Sequence, residues 1–184
     1  LGILVTIVLF LFFQALFMPK YMESMKEGAL IAEYDKDSLN HEVVFIGDCE
    51  VYENFSPVTL WENYGITSFI RGSASQTIWQ SYYLLKDTLR KEKPEVVVFN
   101  VLSMQYDQAV SEAYNRMTLD GMEWSEVKVE AVKASMTEEE SMITYLLPFF
   151  RYHSRWSELT KEDFRYLFRK NSISYNGYLM QTGV

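Results

Sequence analysis

The chain has 184 residues, of which 48% are hydrophobic and 16% aromatic, enough for one domain with a real core and too apolar for a disordered chain. Its 25 acidic and 17 basic side chains leave a formal charge of −8, which speaks against nucleic acid as a partner, because that binding rests on Lys and Arg neutralising phosphates. A single cysteine excludes an internal disulfide framework.

The opening "LGILVTIVLFLFFQALFM" is apolar apart from Thr6 and Gln14. As a helix its eighteen residues rise ~27 Å, close to the ~30 Å hydrocarbon core of a bilayer. The following "FMPKYMESMK" has a proline and long side chains where a signal peptidase needs small residues. Residues 1–18 therefore read as an uncleaved transmembrane signal anchor, with a buried core helix or a cleaved signal as alternatives. The first residue is leucine, so further residues are expected upstream. An anchor ahead of one globular domain predicts a single-pass protein of the cell membrane with its domain outside the cytoplasm.

Residues 19–41 read as a charged, partly helical stalk, closed by the loop "DKDSLN". The domain is expected over 42–184. "EVVFIGD" is a short β-branched run without polar alternation, as in a buried parallel strand. "ITSFIRG" gives a second strand ending at Gly72, and "EVVVFNVL" a third after Pro94. Between the last two, "SASQTIWQSYYLLKDTLRKEK" carries Ile78, Tyr82, Leu85 and Leu89 at helical spacing behind capping residues. Strand, helix and strand at this length predict a right-handed crossover and an α/β sandwich with a parallel sheet. Beyond residue 104 the pattern is helical: "EWSEVKVEAVKAS", "TEEESMITYLLPFFRYH" and "TKEDFRYLFRK", with "NRMTLDGMEW" as a turn. Three strands are few for such a fold, and the expectation is a piece truncated at its C terminus.

In an open parallel sheet, ligands sit outside the carboxyl ends of the strands. "GDCE", "RGSASQ" and "NVLSMQYD" all fall there. Acyl transfer needs an exposed nucleophile on a tight turn, amides aimed at the developing oxyanion, and a base. Cys49 stands on such a turn, and three roles are open to it: nucleophile, packing residue, or metal or redox sensor. A helix N-terminus lowers its pKa, while Asp48 and Glu50 push the other way. Ser73, Ser75 and Gln76 suit either substrate binding or helix capping. Tyr52, Phe55, Trp61, Trp79, Tyr82 and Tyr83 suit either a glycan-stacking cleft or the core. His41 and His153 lie far apart and read as structural; no metal site or cofactor is expected.

"FIGDCEVYENFSP" resembles the first block of the SGNH/GDSL hydrolases, a superfamily of acyl-ester hydrolases and O-acyltransferases in which GDS presents a nucleophilic serine. Cys49 stands where that serine would stand. "RGSASQ" is similar to the second block, which assigns part of the oxyanion hole to Gly72. The resemblance spans roughly residues 41–107 and is nearest to membrane-anchored SGNH-like proteins of bacterial cell-surface polysaccharide and teichoic-acid modification. Two elements depart from the pattern. The Gly and Asn of the third block are replaced by Leu102 and Met104, so that Asn100 serves only in a shifted register, and the Asp and His that would activate the nucleophile have no counterpart before Val184.

The resemblance implies an incomplete three-layer αβα sandwich, flavodoxin-like in its sheet, behind one transmembrane helix. It implies an acyl-ester hydrolase or O-acyltransferase acting on a cell-surface polysaccharide or other acylated glycan. Cys49 would attack the acyl carbon, the amides of Cys49 and Gly72 would hold the oxyanion, and Asp48, Ser73 and Asn100 would face substrate. A His beyond residue 184 would shuttle protons. The alternative is a catalytically inactive module that binds glycan or docks a membrane-bound acyltransferase. A sortase-type transpeptidase lacks a His and an Arg placed around the thiol.

Overall fold

The computed structural model describes residues 2–18, 27–36, 40–168 and 174–178. Strands β1 (Val43–Gly47), β2 (Ser68–Gly72) and β3 (Val96–Phe99) form in the three expected stretches. They make one parallel sheet in the order β2-β1-β3, with Gly47 opposite Gly72 and Ile46 opposite Phe99. Helices α3 (Cys49–Asn54) and α4 (Pro57–Tyr64) lead from β1 to β2, and α5 (Ile78–Lys91) leads from β2 across β1 to β3.

The two crossovers run in opposite directions, so right-handed winding sets their helices on opposite faces of the sheet. Side-chain alternation along β1 matches this. Val44 and Ile46 pack with Leu84, Leu119, Val127 and Val132, whereas Phe45 packs with Ile70, Val51 and Tyr52. Burial of β1 on both faces is what makes "VVFI" apolar without alternation. The start of α5 is set by a capping box: Thr77 accepts from the backbone of Gln80, whose side chain accepts from the Thr77 amide.

After β3 come α6 (Glu112–Leu119), α7 (Glu126–Ser135), α8 (Met142–Leu146), α9 (Phe149–Tyr152) and α10 (Lys161–Phe168). Two of these differ from expectation. The stretch read as a turn, from Asn115, is the body of α6: Asn115, Arg116 and Thr118 are buried polar residues, which hide its apolar period. The helix expected over 137–153 is broken into α8 and α9, because Pro148 cannot donate to the helical ladder.

The segment read as a stalk enters the core. Helix α2 (Glu27–Glu33) and the 3-10 turn Tyr34–Lys36 supply Leu30, Ile31 and Tyr34, all fully buried. Residues 19–26 and 37–39 of that stretch lie outside the described residues, as do those on the tail at 169–173 and 179–184. The tail residues 174–178 cover the outer edge of β2, where the Ile70 amide donates to the Asn176 carbonyl at 2.9 Å.

The stretch read as a transmembrane anchor is helical over its described residues. Helix α1 (Gly2–Phe17) has 16 residues and rises ~24 Å, less than the ~30 Å hydrocarbon thickness. Among the described residues no helix is long and apolar enough to cross a membrane. The end of α1 packs on the domain: Phe10 and Phe17 meet the Phe149 ring at 5.6 and 5.7 Å, and Arg155 Nη1 donates to the Phe17 carbonyl at 2.6 Å.

One buried cation gives a testable pH dependence. Lys128 Nζ donates to the Met122 carbonyl at 2.7 Å over the Trp124 ring, and burial pushes its pKa down to about 8. The unfolded chain holds that proton until about 10.4, so between these values the unfolded state binds more protons and stability rises with pH. Urea unfolding should show a gain of up to about 3 kcal/mol across this window. Relative to Lys128→Met, which removes the titration, the gain should be absent in the variant; parallel curves would contradict the assignment.

Candidate functional site

The carboxyl end of β1 closes on Gly47 and turns into α3. Asp48 caps that helix with its backbone extended, its Oδ1 accepting from the Glu50 amide at 3.1 Å. Cys49 is the first helical residue and its thiol is free. The same Asp48 oxygen accepts from Asn100 Nδ2 at 2.9 Å, and Asp48 is buried. Asn100 directly follows β3; its amide donates to the Ile46 carbonyl at 2.8 Å and its Oδ1 accepts from the Leu102 amide at 2.8 Å. The pairing of Ile46 with Phe99 therefore brings Asn100 beside the Gly47 turn.

Two glycines permit this approach. A Cβ on Gly47 would overlap Asn100 Cβ, and one on Gly72 would stand 2.6 Å from Val51 Cγ2, with the Gly47 and Asp48 carbonyl oxygens at 3.1 and 3.2 Å. Gly72 thus lies against the peptide that precedes Cys49. Gly72→Ala should cost about 1–3 kcal/mol through overpacking, and Val51→Ala in the same chain should recover part of it. Thermal unfolding of the single and double variants reads this coupling; strictly additive losses would contradict the contact.

The electrostatics of Cys49 follow from its neighbours. Burial, with the carboxylates of Asp48, Glu53 and Glu50, pushes its thiol above the ordinary value. The acids outweigh the N-terminus of this short helix. At neutral pH the side chain is a protonated thiol.

Ser73, expected to face substrate, is fully buried in the loop after β2. Its hydroxyl donates to Gln76 Oε1 at 3.2 Å and shares a second hydrogen bond with Thr118. The loop is held by a polar chain that sequence reasoning missed. Thr118 Oγ1, whose proton goes to Ser73, stands 3.3 Å from Gln80 Oε1; Gln80 Nε2 donates to Asn115 Oδ1 at 2.7 Å, and Asn115 Nδ2 to Glu140 Oε1 at 2.6 Å. Within the loop Ser75 adopts a left-handed backbone with φ of 51°, an unusual geometry for a residue with a Cβ.

Neither histidine joins this cluster. His41 precedes β1 at the opposite end of the sheet, and both its amide and Nδ1 contact the Glu92 carboxylate at 2.9 and 3.1 Å. Burial alone would raise that carboxyl, but hydrogen bonds from Tyr34 and His41 hold it below its ordinary value. His153 is exposed, with Nδ1 3.1 Å from the Phe150 carbonyl. Among the described residues no cluster of His, Cys, Asp or Glu could hold a metal ion. Of the aromatic candidates, Tyr52 is in the core, whereas Phe55, Trp61, Trp79 and Tyr82 are exposed.

The structure thus brings Asp48, Cys49, Gly72 and Asn100 together and sets Ser73 beneath them. Comparison of the chain with protein-family models, with curated proteins and with solved structures finds no match.

Proposed function

We propose that the chain is an SGNH-like domain that handles acyl groups of a cell-surface glycan, as an acyl-ester hydrolase or O-acyltransferase. The observation that carries this reading is the meeting of Asp48, Gly72 and Asn100 around Cys49 at the carboxyl end of β1 and β3. That is where the strand order reverses, the place at which open α/β sheets bind ligands. The order β2-β1-β3, with helices on both faces, is read as the first half of a flavodoxin-like three-layer sandwich.

In this reading the Cys49 thiolate attacks the ester carbonyl carbon. A C–S bond forms as the C=O π pair moves onto oxygen, where the amides of Cys49 and Gly72 receive the negative charge. Collapse breaks the C–O bond, and the sugar oxygen leaves with a proton. Water then cleaves the thioester, or a second sugar hydroxyl accepts the acyl group. The thiol proton passes to a base that neither His41 nor His153 provides, and this reading assigns the base to another segment or subunit.

Helix α1 supports attachment of the domain to the outer face of a cell membrane. It carries no charge and leaves Ile3, Leu4 and Leu9 bare, while Trp156 and Phe168 are exposed on elements packed beside it. Glycan and membrane are the partners of this reading.

The raised thiol favours a second one, a catalytically inactive module that binds glycan or docks a membrane-bound acyltransferase. Alkylation by iodoacetamide separates them. A nucleophile should label in the folded chain without denaturant, at a rate rising about tenfold per pH unit up to and beyond the ordinary cysteine range. Glu53→Gln should speed labelling at neutral pH, since it removes one of the carboxylates that hold the thiol protonated. Labelling that stays slow until denaturant is added would favour the inactive module.

A further inference from the structure

A pocket of about 200 Å³ opens beside the start of α5, lined by Thr77, Trp79, Asp107, Gln108 and Ala109 and closed by Ala134 and Ser135 at the end of α7. Thr77 follows the loop after β2, and Asp107 and Gln108 follow β3, so the pocket belongs to the same end of the sheet as Cys49. It is separate from the Asp48–Cys49–Asn100 cluster and takes no part in the step described above.

Two observations define what would fit. First, Trp79 is 48% exposed, although it stands near the start of a helix whose other face is core. A bare indole at the rim of a polar pocket offers a flat apolar platform. Second, Asp107 and Gln108 are exposed beside it and supply a carboxylate and an amide. Between them they accept and donate hydrogen bonds, and no Lys or Arg lines the pocket. A phosphorylated or carboxylated ligand would meet a negative charge with nothing to offset it.

We propose that this pocket is a sugar subsite that takes one uncharged pyranose of a glycan chain. One face of the ring, lined by C–H bonds, packs on the Trp79 indole. The ring's hydroxyl rim donates to Asp107 and exchanges hydrogen bonds with Gln108. The volume is below the several hundred Å³ of drug-sized sites and suits a single ring. This assignment rests on the glycan reading above, which it deepens by naming where a sugar next to the acylated unit would be held.

The test uses the 184-residue chain in detergent and four probes: glucose, N-acetylglucosamine and the β-1,4-linked tetramer of each. Binding is read by saturation-transfer NMR and by calorimetry. At least one probe should bind, and Trp79→Ala should weaken it tenfold or more, with Trp79→Phe retaining most of the affinity. Asp107→Asn should weaken it several-fold. Tyr64→Ala, at another exposed aromatic residue, should change nothing. Binding by none of the probes, or binding that survives Trp79→Ala in a folded variant, would overturn the subsite. Mass spectrometry of the unsubstituted chain after exposure to an activated acyl ester keeps the two readings distinguishable: sugar binding in a chain that is not acylated at Cys49 supports the subsite and fails the acyl-transfer reading. Acylation of Cys49 with no sugar bound does the reverse.

Discussion

Arg71→Ala is expected to lose about 2–5 kcal/mol, because it leaves a cavity where a large buried side chain stood and removes one of the three cations that pair with the buried Asp87. That is comparable to the whole stability of many domains, about 5–15 kcal/mol. Arg71 lies on the central sheet with its side chain 0% exposed. Its Nη1 donates to the Leu84 carbonyl at 3.0 Å and to Thr88 Oγ1 at 2.8 Å, and its Nη2 to Asp87 Oδ2 at 2.9 Å. The guanidinium also lies over the Tyr34 ring, 4.0 Å from its centroid. Burial alone would raise the Asp87 carboxyl, yet Arg71, Arg90 and Lys91 together hold it below its ordinary value. Removing the arginine leaves Asp87 with Arg90 and Lys91, but it opens a cavity beneath α5 and takes a donor from the Leu84 carbonyl and from Thr88 Oγ1. Arg71→Lys should fall between, because one ammonium cannot reproduce the planar fork. Equilibrium urea unfolding reads the loss; a change below about 1 kcal/mol would show that the cluster is not what pins α5 and α2 to β2.

Arg71 also illustrates what the sequence did not disclose. The strands were legible because a central parallel strand is apolar on both faces, and "VVFIG" and "VVVF" carry that mark plainly. The arginine in "SFIRG" is charged, and nothing local in the sequence says that Asp87 and Thr88 wait for it sixteen and seventeen residues away. Helix α6 was hidden for the same reason. Asn115, Arg116 and Thr118 look like loop chemistry until their partners, Gln80, Glu140 and Thr144 among them, are in place. The turn of the candidate site was readable because glycine and capping acids mark it locally. The partnership of Asn100 with Asp48 depends on strand register, which the third strand's sequence alone does not set. For Trp61 and Trp79 a glycan-stacking cleft and the core stayed open, because helical spacing does not say which flank of a half-covered helix a partner element leaves bare.

A second large effect concerns turnover. With an activated acyl ester such as p-nitrophenyl acetate at pH 9, the chain should release about one equivalent of phenolate per Cys49 and then stall. The first step needs only the thiolate, which that pH supplies in part even to a raised thiol. The second needs a base to activate water, and both histidines are held elsewhere, His41 on Glu92 and His153 on the Phe150 carbonyl. A missing general base is worth on the order of 10²–10⁴ in rate. Added imidazole should restore part of it, after subtraction of its own reaction measured with Cys49→Ala. Steady turnover without imidazole that vanishes in Cys49→Ala would show that a base does reach the thiol. His41→Gln and His153→Gln would then identify it.

The central claim is that Cys49 carries the acyl group, and peptide mass spectrometry on the stalled chain tests it most directly. Quenched in acid and digested, the protein should show one acetyl group on the peptide that contains Cys49, removed by neutral hydroxylamine as a thioester requires. An unmodified Cys49 peptide alongside acetylated lysines would contradict the account, and the turn after β1 would then be a structural junction of Asp48, Gly72 and Asn100.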